Sequence, residues 1–227
     1  MNNNITTDVR LFYTKTGDLK YISHLDMNRC MQRVLRRSRL PVWHTEGFNP
    51  HVYITFALPL SLGIESVYET MDFRLVDFPD LKAAEEALAA ALPAGLKLIK
   101  IDTPVMKVAD IALADFEVKA YSAEFAERSD ELLALWNEYE AQDSIIIAKK
   151  TKAGIKDIDV KPHLMQQKQP AAQNGELTLT LRLSAGNTVN INPMLVFGDF
   201  CEKSGIKFDS IGYTKLAVYN KNGVLFR

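Results

Sequence analysis

The chain has 227 residues, 47% of them hydrophobic and 24% charged, and its 27 Lys and Arg against 28 Asp and Glu leave a net charge of -1. Such usage at this length excludes a polycation, a disordered chain and a collagen-like one, because it can bury a core. Two distant cysteines, Cys30 and Cys201, no apolar run near the roughly 18 residues of a membrane helix, and an Asn- and Thr-rich start without a basic, apolar leader predict a cytoplasmic protein with no membrane partner.

In chain order, Val9 to Lys15 reads as a strand and Thr16-Gly17-Asp18 as its exit turn. Ser23 with Asp26 three residues on resembles a capping box, so a helix starts there and runs to about Arg39, before Pro41. Strands at His51 to Ala57 and Val67 to Val76 are joined by the Pro59 to Gly63 loop. An Ala- and Leu-rich helix follows at Asp80 to Leu92, and a strand at Leu96 to Asp102. This βαββαβ order is the ferredoxin-like arrangement. The second half repeats the order less regularly: a strand at Phe116 to Ser122, a helix from Ser129 to about Glu140, strands at Ser144 to Lys149 and Ile155 to Val160 around Gly154, and an alternating strand through Leu177, Leu179, Leu181 and Leu183. A helix capped by Asn192-Pro193 stops near Gly205, and Ile211 to Tyr219 closes the pattern. The predicted fold is therefore α+β, two tandem ferredoxin-like (βαββαβ) units with antiparallel sheets. They span residues 1–105 and 106–227, the second with an extra strand and a basic hairpin.

The near-zero net charge hides a local excess. Lys20 to Leu40 holds Lys20, Arg29, Arg33, Arg36, Arg37 and Arg39 against Asp26 alone, a net +5. At about 100° per residue Arg29, Arg33, Arg36 and Arg37 share little more than one quadrant of the helix, opposite Met27, Cys30, Met31 and Val34. Like charges at helical spacing repel, and a bound polyanion such as RNA relieves them; acids from elsewhere in the protein would do the same. A second basic stretch, with Lys149, Lys150, Lys152, Lys156, Lys161 and Lys168 against Asp157 and Asp159, reads as a lysine hairpin that grips a backbone or merely blunts a strand edge. If Val9, Leu11 and Tyr13 face the core, Arg10, Phe12 and Thr14 lie on an open sheet face, with Tyr68, Arg74, Tyr53 and His51 beside them as stacking candidates. The expected nucleic-acid contacts are thus Lys20, Arg29, Arg33, Arg36, Arg37, Phe12 and Tyr53.

Three of the four histidines, His24, His44 and His51, fall in the first 51 residues, near Asp26 and Glu46. None has the tight spacing of a metal site, so no metal or cofactor is expected. Either His24 or His51, beside Tyr21 or Tyr53, could carry a proton in metal-independent RNA processing. Gly47-Phe48-Asn49-Pro50-His51 is a turn leading into a strand.

Lys20-Tyr21-Ile22-Ser23-His24-Leu25-Asp26, the four arginines, Glu46-Gly47-Phe48-Asn49-Pro50-His51 and Pro59-Leu60-Ser61-Leu62-Gly63-Ile64-Glu65-Ser66 together resemble the radical-SAM-linked (radical-SAM-associated) family of bacteria, a domain-of-unknown-function family. The motifs cover about Val9 to Val76; Ile158-Asp159-Val160 and Asn192-Pro193 extend the likeness weakly, and Val52 stands where the family usually has a second proline. The resemblance implies a partner, a radical SAM enzyme on a separate chain, and a motif loop made of Ser23, His24, Asp26 and Glu46 to His51. Two distant cysteines cannot supply the CxxxCxxC that ligates a radical SAM cluster, so the chain is not that catalyst itself. The expected function is a non-catalytic, RNA-binding or substrate-presenting accessory protein. The alternatives are a metal-independent RNA-processing enzyme using His24 or His51, and a protein-protein adaptor whose arginines meet an acidic patch on the radical SAM subunit.

Overall fold

The computed structural model describes residues 5–151 and 154–227. The chain divides into two compact units, one running to Ile111 and including Leu225–Arg227, the other Ala112–Val224. The division therefore falls a few residues later than 105, and the last three residues belong with the first unit, where Arg227 O accepts from the N–H groups of Val105 and Met106.

In the first unit the elements are β1 (Thr6–Lys15), α1 (His24–Arg37), β2 (Ile54–Phe56), β3 (Ile64–Val76), α2 (Leu81–Ala91) and β4 (Leu96–Asp102). Their sheet runs β4-β1-β3-β2 and every pairing is antiparallel, with Leu11 opposite both Met71 and Ile101. Alternation puts Val9, Leu11 and Tyr13 of β1 and Met71, Phe73 and Leu75 of β3 into one core, which Met27, Met31, Val34 and Leu35 of α1 and Ala84, Leu88 and Ala91 of α2 complete. Ser23 caps α1 by accepting from the Asp26 N–H at 3.1 Å. The helix stops at Arg37, two residues before the expected end, because Arg39 turns left-handed at φ 58°. At the entry to β4, Gly95 has φ +87°, and a Cβ there would lie 2.8 Å from Leu19 and 3.2 Å from Thr16 O.

The second unit holds β5 (Ile111–Tyr121, starting at the border), α3 (Ser129–Glu140), β6 (Ile146–Thr151), β7 (Gly154–Asp159), β8 (Leu164–Gln166), β9 (Ala171–Gln173), β10 (Glu176–Ser184), α4 (Pro193–Ser204) and β11 (Ser210–Asn220). Its strand order is β11-β5-β10-β8, and β9 also pairs with β10. The four leucines of β10 are fully buried, as the alternation requires. Trp136 and Tyr139 of α3 pack on Phe197 and Phe200 of α4, with Trp136 edge-on to Phe200 at 5.2 Å. The β6–β7 hairpin forms a separate two-stranded sheet instead of extending the main one. Both units are thus α+β, with four α-helices among the described residues, none long and apolar enough to cross a membrane.

Candidate nucleic-acid interface

α1 carries the arginine face. Its buried side is Met27, Met31, Val34 and Leu35, Cys30 is half-buried, and Arg29, Arg33, Arg36 and Arg37 are all exposed. The four differ in what holds them. Arg29 reaches Asp26 at 3.3 Å. Arg37 donates through Nε to Ala91 O at 3.1 Å and through Nη2 to the same oxygen, so it neutralises the carbonyl end of α2. Among the described residues no hydrogen bond or ion pair engages the guanidinium of Arg33 or Arg36; Asp26 acts on Arg33 only at longer range. Asp26 cannot neutralise the row alone. Its carboxyl is held below the ordinary range, first by the Ser23 hydroxyl and then by Arg29.

Lys20 is occupied locally. It lies 3.6 Å from Glu65 and over the Tyr21 ring at 5.3 Å, so it secures the turn beside Gly63 more than it offers a free charge.

The open sheet face is corrected for Phe12, which is fully buried. Its ring lies 5.7 Å from Tyr68, whose hydroxyl donates to Phe226 O at 2.8 Å. Arg10, on the same side of β1, is 1% exposed. The returning segment 225–227 and the stretch after β4 are what cover this side within the unit: Arg10 donates to Met106 O at 3.0 Å and lies 4.2 Å over the Phe226 ring. Sequence alternation placed these residues on the second face of the strand but held no sign of the chain end folding back.

Tyr53 has a different setting. Residues 42–53 form an irregular hairpin: Tyr53 N–H donates to Trp43 O, Thr45 N–H donates to His51 O, and His44 bridges to Val52. The expected strand at 51–57 is thus regular only from Ile54. Trp43 and Tyr53 meet edge-on at 5.6 Å, and the Arg74 guanidinium, bonded to Asp8 at 2.5 Å, stands 4.9 Å from the Tyr53 ring and 5.3 Å from Trp43. At the tip, Glu46, Gly47, Phe48, Asn49, Pro50 and His51 are all exposed.

His24 and His51 sit in separate environments. The His51 N–H donates to Thr45 Oγ1 at 3.2 Å, and its Nδ1 lies 3.1 Å from Asn49 O and 3.0 Å from Thr45 Oγ1. These contacts make the ring a brace of the turn. His24, the first residue of α1, packs edge-on against Phe56 at 5.1 Å. It also lines a cavity of about 10 Å³, room for roughly one water, with Tyr13, Lys15, Met27, Phe56, Pro59, Leu60 and Glu69. Tyr13, Lys15 and Glu69 are buried, and burial followed by the Glu69 charge pushes the Tyr13 phenol well up. Sequence reasoning gives Tyr13 only as a core residue and misses Lys15 and Glu69 altogether. The available signal was Lys15 itself, a charge at the end of the inward series Val9, Leu11, Tyr13.

The second basic stretch offers little. Lys152 lies outside the described residues, as do the side chains of Lys149 and Lys150; Lys161 pairs with Glu140 at 3.0 Å, and Lys156 is exposed. No group of three His, Cys, Asp or Glu among the described residues is placed to hold a metal ion.

A family model described as an uncharacterized protein conserved in bacteria (DUF2344) matches residues 9–193. No curated protein matches the chain. Among solved structures, the crystal structure of a candidate glycine cleavage system transcriptional repressor is 10% identical, with 93% of this chain and 99% of that chain covered at a TM-score of 0.25. A likeness so loose carries no argument.

Proposed function

The chain belongs to this bacterial family, and we propose that it is a non-catalytic, RNA-binding accessory protein that presents RNA to a separate radical SAM enzyme. The observation that carries the RNA half is the pair Arg33 and Arg36, exposed on α1 with no acid among the described residues bonded to either, between Arg29 and the carbonyl-anchored Arg37. Four guanidiniums along one helix repel unless an anion lies among them, and a phosphate backbone supplies such anions and accepts the bidentate bonds that guanidiniums favour. The radical SAM half rests on the motifs of residues 20–26, 46–51 and 59–66. The strand orders β4-β1-β3-β2 and β11-β5-β10-β8 support a finer reading of the fold, two tandem ferredoxin-like units with the β6–β7 hairpin inserted in the second.

Anisotropy of a labelled single-stranded RNA titrated at several salt concentrations tests the RNA half. Each phosphate contact adds a slope of about -0.7 to log K against log salt, so the double variant Arg33→Glu, Arg36→Glu is expected to flatten the slope by about 1.4 and to weaken binding at least tenfold. Affinity indifferent to salt, or unchanged in that variant, overturns the reading. If a radical SAM subunit is retained after nuclease treatment but RNA is never bound, the arginines belong to a protein-protein adaptor instead.

One observation favours a second reading, metal-independent RNA processing: exposed His24 adjoins a cavity floored by Tyr13, Lys15 and Glu69. RNA cleaved in EDTA by the wild type and left intact by His24→Ala would establish it, and RNA intact in both would dismiss it.

A further inference from the structure

Phe48 is fully exposed at the tip of the 42–53 hairpin. Burying a phenylalanine is ordinarily worth about 1.5–3 kcal/mol, so a ring left wholly in water at a well-braced position calls for a reason. The bracing is extensive. Gly47 adopts φ +119°, a conformation that favours glycine, Pro50 fixes its own φ, and His51 ties Asn49 and Thr45 together from the other arm. At the base, Val52 is buried and Trp43 donates to Arg74 O at 2.9 Å, which fastens the hairpin to β3. The tip is therefore held ready before any ligand arrives.

The neighbours of Phe48 decide what it meets. Gly47 and Asn49 flank it, and Glu46, Pro50 and His51 complete an exposed tip with no second large apolar side chain. A protein-protein interface buries roughly 800 Å² per partner around a packed apolar centre, far more than one ring provides. One ring is enough to stack a single base. Glu46 repels a phosphate at the same tip while offering an acceptor to a base's amino edge, so the charge there suits a nucleobase and not the backbone.

We propose that Phe48 is a base-stacking residue, and that the 46–51 tip engages an unpaired nucleobase of the RNA. The proposal rests on the RNA-binding reading above and gives that reading its ligand class: single-stranded RNA with an accessible base, in place of any polyanion. It also moves the aromatic contact from the covered sheet face to the hairpin. Phe48 reads no sequence by itself, because every base presents a π-face. Glu46, Asn49 and His51 supply whatever preference among bases exists.

The test uses the full chain, a labelled single-stranded RNA and inorganic polyphosphate as a base-free polyanion. Phe48→Ala is expected to weaken RNA binding about 10- to 100-fold, leave polyphosphate affinity and the salt slope unchanged, and keep the wild-type melting temperature because the ring packs on nothing. Phe48→Trp is expected to restore RNA affinity, and RNA, but not polyphosphate, is expected to quench its fluorescence in excess over the wild type. Wild-type RNA affinity in Phe48→Ala overturns the stacking proposal; with Arg33→Glu, Arg36→Glu still deleterious, the RNA reading survives. Equal loss on RNA and polyphosphate also overturns it. A wild type that binds no RNA ends both.

Discussion

Arg10 and Asp72 are register partners across β1 and β3, and the arginine meets the carboxylate through two bonds of 2.7 Å. The guanidinium is buried, Nη2 also reaches Met106 O, and Nη1 has no hydrogen-bond acceptor among the described residues, so the Phe226 face at 4.2 Å adds compensation. The second unit uses the same device with the two residues exchanged between strands: Asp115 of β5 opposes Arg182 of β10 at 2.7 and 2.9 Å, under the Tyr219 ring at 4.2 Å. Removing one partner of such a pair strands a buried charge. Asp72→Ala is therefore expected to cost about 3–5 kcal/mol in urea unfolding, whereas the double change Arg10→Met, Asp72→Leu recovers most of the loss. A cost under about 1 kcal/mol in the single variant would mean that solvent reaches Arg10.

Asn174-Gly175 turns β9 back into β10, with φ 51° and 80°. A Cβ on Gly175 would lie 2.4 Å from Ser122 O, so both the backbone angle and the space demand glycine. Gly175→Ala is expected to lower the melting temperature by several degrees, while Gly223→Ala, at φ 74° but with nothing within 4 Å, costs less. Equal shifts in the two variants would leave the close approach without effect and the backbone angle as the whole cost.

The contrast between strands and loops explains what the sequence made legible. Val9, Leu11 and Tyr13, or the four leucines of β10, carry their burial in a period of two, and Ser23, Asp80 and Asn192 announce helix starts by hydroxyl, carboxylate or amide. α3 also begins and ends where expected, at Ser129 and Glu140, although its N-cap, Arg128, makes no side-chain cap. β8 and β9, of three residues each, are too short for any period, although Asn174-Gly175 is a hairpin signal that could have revealed β9. In the site, the arginine stripe follows from helical spacing alone. That Phe12 is buried beside Tyr68 and Lys100, and Arg10 under Phe226, depends on residues 56 to 216 positions away in sequence, and Lys20 is drawn to Glu65 by a loop closure that no local pattern encodes.

Asp26, Asp102 and Asp159 have carboxyls lowered from the ordinary 3.8, chiefly by the Ser23 hydroxyl, by Lys100, and by the Ile145 and Lys161 N–H groups respectively. A depressed folded value means that protonation favours the unfolded chain. The stability these groups contribute is full above pH 3.8 and is lost as pH falls through their lower folded values. Melting temperature is expected to decline below about pH 4, and less steeply in Asp26→Asn, Asp159→Asn than in the wild type. Parallel declines would put the acid sensitivity elsewhere.

Of the two thiols, Cys30 reports on the arginine face from behind, and Cys201 is free of arginine influence. Burial pushes the Cys201 thiol up to about 11 from 9.0, which at pH 8 leaves about a hundredth of the ordinary thiolate. Cys30, half-buried on α1, is raised by burial too, but Arg37 and Arg33 draw it back down. An anion seated on those arginines cancels that attraction without touching the thiol. In Cys201→Ser, alkylation of Cys30 by uncharged iodoacetamide is therefore expected to slow when RNA or polyphosphate is added at low salt, and to recover as salt displaces the anion. The Arg33→Glu, Arg36→Glu background should already be slow and insensitive to either ligand. Slowing by RNA that persists in that background would come from contact with some other part of the protein, and an unchanged rate in the parent would leave the arginine face without an anion.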